Sequence, residues 1–536
     1  MMISGPSAGL SVPSRGLARK DLGDFQTPRP LVDAVLARLL AGGERFERVL
    51  EPTCGRGHFL NGLLDGSCPP REIRGVELQA DHAAAARSVV AGHGQIVHAD
   101  LFRLDLGRDL NWASGGRLLV VGNPPWVTVA ALGASGGLAR NPGPTRTNAR
   151  RTRGLDAMTG GSNFDLATAV WIKLIRELAS DRPTIALLCK TSVARGLLQA
   201  VRSDDLPVTA ATFWTIDAAR WFRASVAAGL LRVEVGPGPK VTEVPVHADL
   251  AASAPTTTWG VGHGPIVADL PAYRRSEFAD GAGPIAWRQG VKHDATAVME
   301  LTPQPGGGWA NGLGEPVEVE ADRIYPWFKA TDLARGTNPE PRRSVLITQK
   351  SLGDDPRDLA RTAPRLWDYL QRHADRFARR KSSIYRGRPP FALFGVGQYT
   401  FSPFKVAISG LHKAFRFRAI GLVDGRPPLV DDTCYFLPCP TAEAACTLAG
   451  ALNGPEVANL LLGLTFLDNK RPITKAVLRR IDPRAVLART DRDSLRSRAA
   501  AEWTGLADPG GEGPASWPLG WQTGWATLAS APITSV

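Results

Sequence analysis

Val49-Leu50-Glu51-Pro52-Thr53-Cys54-Gly55-Arg56-Gly57-His58-Phe59-Leu60 begins as an apolar run, passes through a Gly-x-Gly turn and re-enters an apolar pattern at helical spacing. A strand that leads into such a turn and then a helix is the opening unit of an open α/β sheet. Glycines in the turn let the backbone approach a ligand closely, and the first amides of the helix favour a carboxylate or phosphate. Leu60 stands where a dinucleotide fingerprint would place its third glycine, which disfavours a nicotinamide or flavin dinucleotide.

Downstream, two further apolar runs close on acids. Ile73 to Glu77 and Ile96 to Asp100 read as the next strands, so Glu51, Glu77 and Asp100 fall at three successive strand ends. That is the carboxyl edge, where open α/β sheets bind ligands. Glu77 lies 20 residues beyond Gly57, at the position from which a carboxylate accepts hydrogen bonds from both ribose hydroxyls of a nucleoside cofactor. Asp100 precedes Leu101-Phe102, which pairs an acceptor for an adenine amine with apolar cover for the ring.

The fourth run, Leu118-Leu119-Val120-Val121-Gly122, ends in Asn123-Pro124-Pro125-Trp126. An exocyclic base amine is a poor nucleophile because its lone pair is delocalised into the ring. The Asn123 carboxamide oxygen and the Pro124 carbonyl can each accept one amine hydrogen, freeing that lone pair for an electrophilic methyl group. Pro124 and Pro125 stiffen the turn, and Trp126 offers a flat face for an extruded base.

Further elements complete an alternating pattern from about residue 25 to 235, which reads as a doubly wound parallel sheet. Thr27-Pro28 opens a helix carrying Leu31, Val32, Val35, Leu36, Leu39 and Leu40, with Thr27 as its cap and Gly42 at its stop. Phe164 to Ala179 is a second helix, and Ile185 to Cys189 a fifth buried strand. Residues 131–162 break the periodicity and carry Arg146, Arg150, Arg151 and Arg153, as expected of a mobile basic loop over nucleic acid.

The chain has 536 residues, 43% of them hydrophobic, and no apolar run of membrane-spanning length, so two or three domains in solution are expected. Sixty-four Lys and Arg against 51 Asp and Glu give a net charge of +13, which suits a polyanionic partner. The six cysteines show no zinc spacing and no metal is expected. The first 22 residues read as a disordered terminus without a secretory signal, placing the protein in the cytoplasm on the nucleoid.

Asp24-Phe25-Gln26-Thr27-Pro28, the Glu51 to Phe59 turn, Glu77, Asp100 and Asn123-Pro124-Pro125-Trp126 occur in an order that resembles the gamma-type, TaqI-like DNA adenine-N6 methyltransferases. The resemblance covers roughly residues 23–230, and Gly154 to Asp165 is similar to a segment of larger restriction-modification members. It implies a Rossmann-like class I methyltransferase sheet and S-adenosylmethionine as cofactor. Cofactor residues would be Thr27, Glu51, Pro52, Gly55, Gly57, Glu77, Asp100 and Phe102; Asn123, Pro124, Pro125 and Trp126 would be catalytic. A second aromatic, Trp221 or Phe222, would face the base from the other side.

The expected organisation is a catalytic domain over 23–240, a linker over 241–266, a mixed α+β target-recognition domain over 267–485 and an irregular tail over 486–536. Within the recognition domain Arg379, Arg380, Lys381, Tyr385, Arg386 and Arg388 form a basic run without acids, suited to phosphate contacts on double-stranded DNA. Target-sequence choice would reside there. No nuclease constellation is apparent, so a restriction or other defence nuclease would be a separate protein. Amino-methylation of cytosine, of RNA or of a protein glutamine, and a catalytically idle DNA-binding subunit, remain open at this point.

Overall fold

A computed structural model of the chain describes residues 26–127, 165–261, 264–283, 286–335 and 340–506, together with 513 and 515. The expected disordered terminus, the whole of the 131–162 basic loop and most of the residues beyond 506 lie outside the described residues. The chain divides into two compact units after Leu270.

Unit one is built on a nine-stranded sheet in the order β3-β2-β1-β4-β5-β7-β6-β8-β9. Its strands are β1 Arg48–Glu51, β2 Glu72–Glu77, β3 Gly94–His98, β4 Leu118–Gly122, β5 Thr184–Lys190, β6 Val208–Ile216, β7 Ala228–Val235, β8 Glu243–His247 and β9 Thr257–Gly260. The five strands from β3 to β5 are parallel. β7 then enters antiparallel between β5 and β6. The wholly parallel sheet expected from sequence is therefore corrected in its second half, where a β6–β7 hairpin replaces a crossover. The segment 241–266, read as a linker, instead supplies β8 and β9 to the far edge.

Among the described residues the unit also carries helices α1 Arg29–Leu39, α2 His58–Leu64, α3 Ala80–Val89, α4 Leu106–Asp109, α5 Leu166–Glu177, α6 Thr191–Ser203 and α7 Ala218–Phe222. α1 buries Leu31, Val32, Val35, Leu36 and Leu39, the stripe its spacing predicts. Its cap position is Pro28 rather than Thr27, and no side chain closes its first turn. α5 buries Ala167, Val170, Trp171, Leu174 and Ile175, and the Asp165 carboxylate accepts the Ala167 N–H at its start. Each large apolar side chain so buried contributes about 1.5–3 kcal/mol, so a Leu174→Ala change would cost ~2–5 kcal/mol.

Unit two contains a six-stranded sheet, order β13-β12-β11-β15-β14-β18, and a four-stranded sheet, order β10-β19-β16-β17. The first comprises β11 Glu300–Pro303, β12 Trp309–Asn311, β13 Pro316–Val317, β14 Ile324–Phe328, β15 Arg343–Leu346 and β18 Leu429–Val430. The second comprises β10 Arg288–Gln289, β16 Phe404–Ser409, β17 Phe417–Ile420 and β19 Cys434–Cys439. The mixed α+β architecture expected for this half is what the chain forms. The helix Ala442–Leu452 is buried on every side. Against it lies Arg492–Trp503, where an irregular tail was expected: Leu495 and Ala499 are buried, and Glu502 accepts the Ala419 N–H at 3.0 Å. No described helix is long and apolar enough to cross a membrane.

Candidate active site

β1 delivers Glu51 to the carboxyl edge of the sheet, and the backbone turns at once. Gly55 and Gly57 take φ of +52° and +82°, a region that costs a side-chain-bearing residue about 1–2 kcal/mol. The turn is closed by Gly57 N–H donating to Cys54 C=O at 2.7 Å, and tied to the next strand by Cys54 N–H donating to Val76 C=O at 2.9 Å. Gln26 covers it: a Cβ on Gly55 would stand 3.0 Å from the Gln26 amide, and Arg56 N–H donates to Gln26 Oε1 at 3.4 Å. Thr27 is buried beside it, its carbonyl 2.8 Å from His58 Nδ1, which must therefore carry the proton.

Glu77 is gripped at both oxygens. Gly55 N–H donates to Oε2 and Gln79 N–H to Oε1, each at 2.8 Å, which orients the carboxylate and leaves each oxygen a second lone pair. Asp100 accepts the Phe102 N–H at 3.0 Å and has Arg103 at 3.8 Å, so the Asp100–Phe102 pair is a formed turn. Pro52 is buried next to Glu51. Glu51 is only 3% exposed, and its Oε2 is buried without a hydrogen-bond partner. Burial, with the neighbouring Glu77 charge adding to it, raises its carboxyl well above the usual range, while the Leu60 N–H partly offsets this.

An orphaned buried carboxylate oxygen beside a left-handed glycine turn fits a cationic ligand of the kind S-adenosylmethionine presents at its methionine end. A preoriented Glu77 fits its ribose. The eight residues expected to bind the cofactor thus gather along the ends of β1, β2 and β3 and the segment entering α1.

β4 meets the same edge. An added Cβ at Gly122 would lie 3.3 Å from Glu51 Cγ, so the turn that follows starts directly against the cofactor strand. Asn123 and Pro125 are half-buried, and Pro124 and Trp126 are buried. Trp126 Nε1–H donates to Leu188 C=O of β5 at 3.4 Å. Its ring meets Phe222 edge-on, with centroids 5.1 Å apart at 69°. Trp126 is thus a wall of the core rather than an open platform. Of the two aromatics considered, Phe222 touches it, whereas Trp221 lies under the Arg220 guanidinium at 4.6 Å. Cys54, on the cofactor turn, has its thiol pushed up by burial, which makes it a poor nucleophile.

Comparison with known proteins adds the family. The chain is 32% identical over 470 residues to the type II methyltransferase M.NspV of Nostoc sp., spanning 86% of this chain and 96% of the relative. The chain belongs to the type II DNA methyltransferases of restriction-modification systems. S-adenosylmethionine is accordingly its methyl donor. The type IIL restriction-modification enzyme MmeI, solved in complex with DNA, shares the fold over 90% of this chain and 67% of its own, with a TM-score of 0.52 at 14% identity. The M protein of the type I enzyme EcoKI overlaps 41% of this chain and 48% of its own, at a TM-score of 0.28 and 15% identity. No family model matches the chain.

The basic run of the methyltransferase's second unit is not uniform. Arg380 lies over the Tyr385 ring at 3.7 Å, and its Nη1 donates to Ala392 C=O at 2.8 Å and His293 C=O at 3.4 Å. Tyr385 is half-buried and burial raises its phenol. Arg379, Lys381, Arg386 and Arg388 are exposed around this pair. Two residues near the site carry only faint sequence signals: Gln26, within the Asp24 to Pro28 motif, and Lys190, a charged residue closing the apolar strand Ile185 to Cys189.

Proposed function

We propose that the enzyme methylates the N6 amine of adenine in double-stranded DNA at a specific sequence, on a base flipped out of the helix. The observation that carries this reading is the placement of Asn123-Pro124-Pro125-Trp126 at the end of β4, directly against Glu51 of the cofactor strand. When bound, S-adenosylmethionine supplies an electrophilic methyl group at this edge. Glu77 would hold its ribose, Asp100 and Phe102 its adenine, and Glu51, Pro52, Gly55, Gly57 and Thr27 its methionine end.

The chain's own work is then to present the amine. Asn123 and the Pro124 carbonyl accept its two hydrogens, which concentrates the lone pair on nitrogen; an asparagine at position 123, rather than a serine, favours adenine over cytosine. Trp126 bounds the base on one side. Two parallel faces around a base need a gap of about 7 Å, two contacts of ~3.5 Å, so the edge-on Phe222 would have to swing to admit it. Unpairing costs a few kcal/mol, offset by this stacking.

Target choice falls to unit two. Arg379, Lys381, Arg386 and Arg388 would contact phosphates, while Arg380 and Tyr385 brace the segment that carries them. A restriction endonuclease encoded separately would depend on the mark. The test is methylation-aware sequencing of DNA from cells making the wild type or Asn123→Ala. One motif bearing N6-methyladenine with wild type alone supports the reading; an N4-methylcytosine mark, or an Asn123→Ala chain that still methylates, overturns it.

A further inference from the structure

Lys190 is the last residue of β5, and it is the charged end of a strand whose other six residues are buried. Its ammonium donates to Asp165 Oδ2 at 2.7 Å. The two side chains are only 20% and 13% exposed, and a pair so enclosed repays its desolvation only when its geometry is fixed. Asp165 is fixed on its other oxygen, Oδ1, which accepts the Ala167 N–H at 3.1 Å and so caps α5. The neighbouring Leu166 N–H donates to Val127 C=O at 3.0 Å. Val127 follows Trp126, whose Nε1–H is bonded to Leu188 C=O, two residues before Lys190. A closed ring results: β5 to Trp126, Val127 to Leu166, Asp165 back to β5.

The geometry points to the Lys190–Asp165 pair as a latch that positions the Asn123 to Trp126 turn for methyl transfer. This rests on the reading that the turn holds the target amine. β4 delivers the turn from one end, and among the described residues the strand ends at Gly122. The other end is held by α5, and α5 is fastened to the sheet at this point by the ion pair. The Lys190 ammonium is engaged by Asp165 at the start of α5, not by a residue expected to bind cofactor or base, so it acts through the turn and is a positioning residue. A neutral side chain at 190 would leave the Asp165 carboxylate enclosed without its cation and free the start of α5 to drift. A displacement of about 1 Å at a reacting group lowers turnover by up to ~100-fold.

The test compares wild type, Lys190→Met, Lys190→Arg and Asn123→Ala as full chains. Readouts are kcat and KM on duplex DNA, S-adenosylmethionine affinity by calorimetry, and hydrogen exchange of peptides spanning 165–170. Lys190→Met is expected to lower kcat about 10- to 100-fold while KM and cofactor affinity stay within about two-fold. Exchange at Leu166 should speed up, and Lys190→Arg should restore both properties. Unchanged kcat and exchange in Lys190→Met overturn the latch. So does loss of cofactor binding, which would mark Lys190 as a general fold residue, and so does failure of arginine to rescue. Transfer surviving in Asn123→Ala is a separate result: it refutes the role of the turn, while exchange at Leu166 still decides whether the latch exists.

Discussion

The backbone N–H of Gly55 donates to Oε2 of Glu77 at 2.8 Å, so the glycine turn and the carboxylate expected to hold the ribose are one unit. Glu77→Ala removes the ligand's acceptor and leaves the Gly55 and Gln79 amides without theirs. Each lost hydrogen bond to a charged group is worth about 1.5–3 kcal/mol, so affinity for S-adenosylmethionine should fall at least ~10-fold. Glu77→Gln keeps one acceptor and should lose less. Calorimetric titration of the cofactor would show this ordering, and equal affinities for all three proteins would break the link.

Glu51 makes stability depend on pH. Its folded carboxyl is raised above the unfolded value, so the folded state holds a proton that the unfolded chain releases. Its stabilising contribution is complete below the ordinary glutamate range and is lost as pH rises through the raised value. Thermal melts without cofactor should therefore decline over that window, and Glu51→Gln should flatten the decline. A cationic cofactor favours the ionised form, so binding should release a proton and tighten with rising pH in wild type but not in Glu51→Gln. Melting curves that fall equally in both proteins would assign the effect to another group.

Strands β1, β4 and β5 were legible because each is buried on both faces and so reads as an apolar run, whereas β3 at the sheet edge buries only Ile96 and showed itself mainly by the acid that follows it. β8 and β9 were not legible. Pro245 and the surrounding Gly and Pro suggested a linker, yet β8 pairs with β6 only at Val246 and His247, so the missing proline N–H falls outside that ladder. Helix Arg492–Trp503 was hidden for a different reason. It docks through small residues, with the place of a Gly450 Cβ only 2.9 Å from the Ala499 nitrogen, and so shows no broad apolar stripe. At the site, acids at strand ends were visible in one dimension. Lys190 and Asp165 are 25 residues apart and meet only in the fold.

Phe222 and Trp221 separate by function. Phe222 contacts Trp126 and lies 7% exposed, whereas Trp221 is engaged with Arg220. Phe222→Ala should weaken stacking of the flipped base by about 1–3 kcal/mol, read as lower 2-aminopurine quenching and a lower kcat/KM. Trp221→Ala should leave both nearly unchanged. The reverse pattern would transfer the role to Trp221.

Basic residues of the 379–388 segment should divide into two classes. Arg386→Ala and Arg388→Ala each remove an exposed cation, and each should reduce the slope of log affinity against log salt by about one. Arg380 is tied to the Ala392 and His293 carbonyls and stacked on Tyr385, so its guanidinium is already committed within the unit. Arg380→Ala should therefore cost about 1–3 kcal/mol of stability by leaving those acceptors unpaired, with the salt slope little altered. A full unit lost from the slope by Arg380→Ala, without a fall in melting temperature, would mean that Arg380 reaches phosphate directly and that the brace is formed only in the absence of DNA.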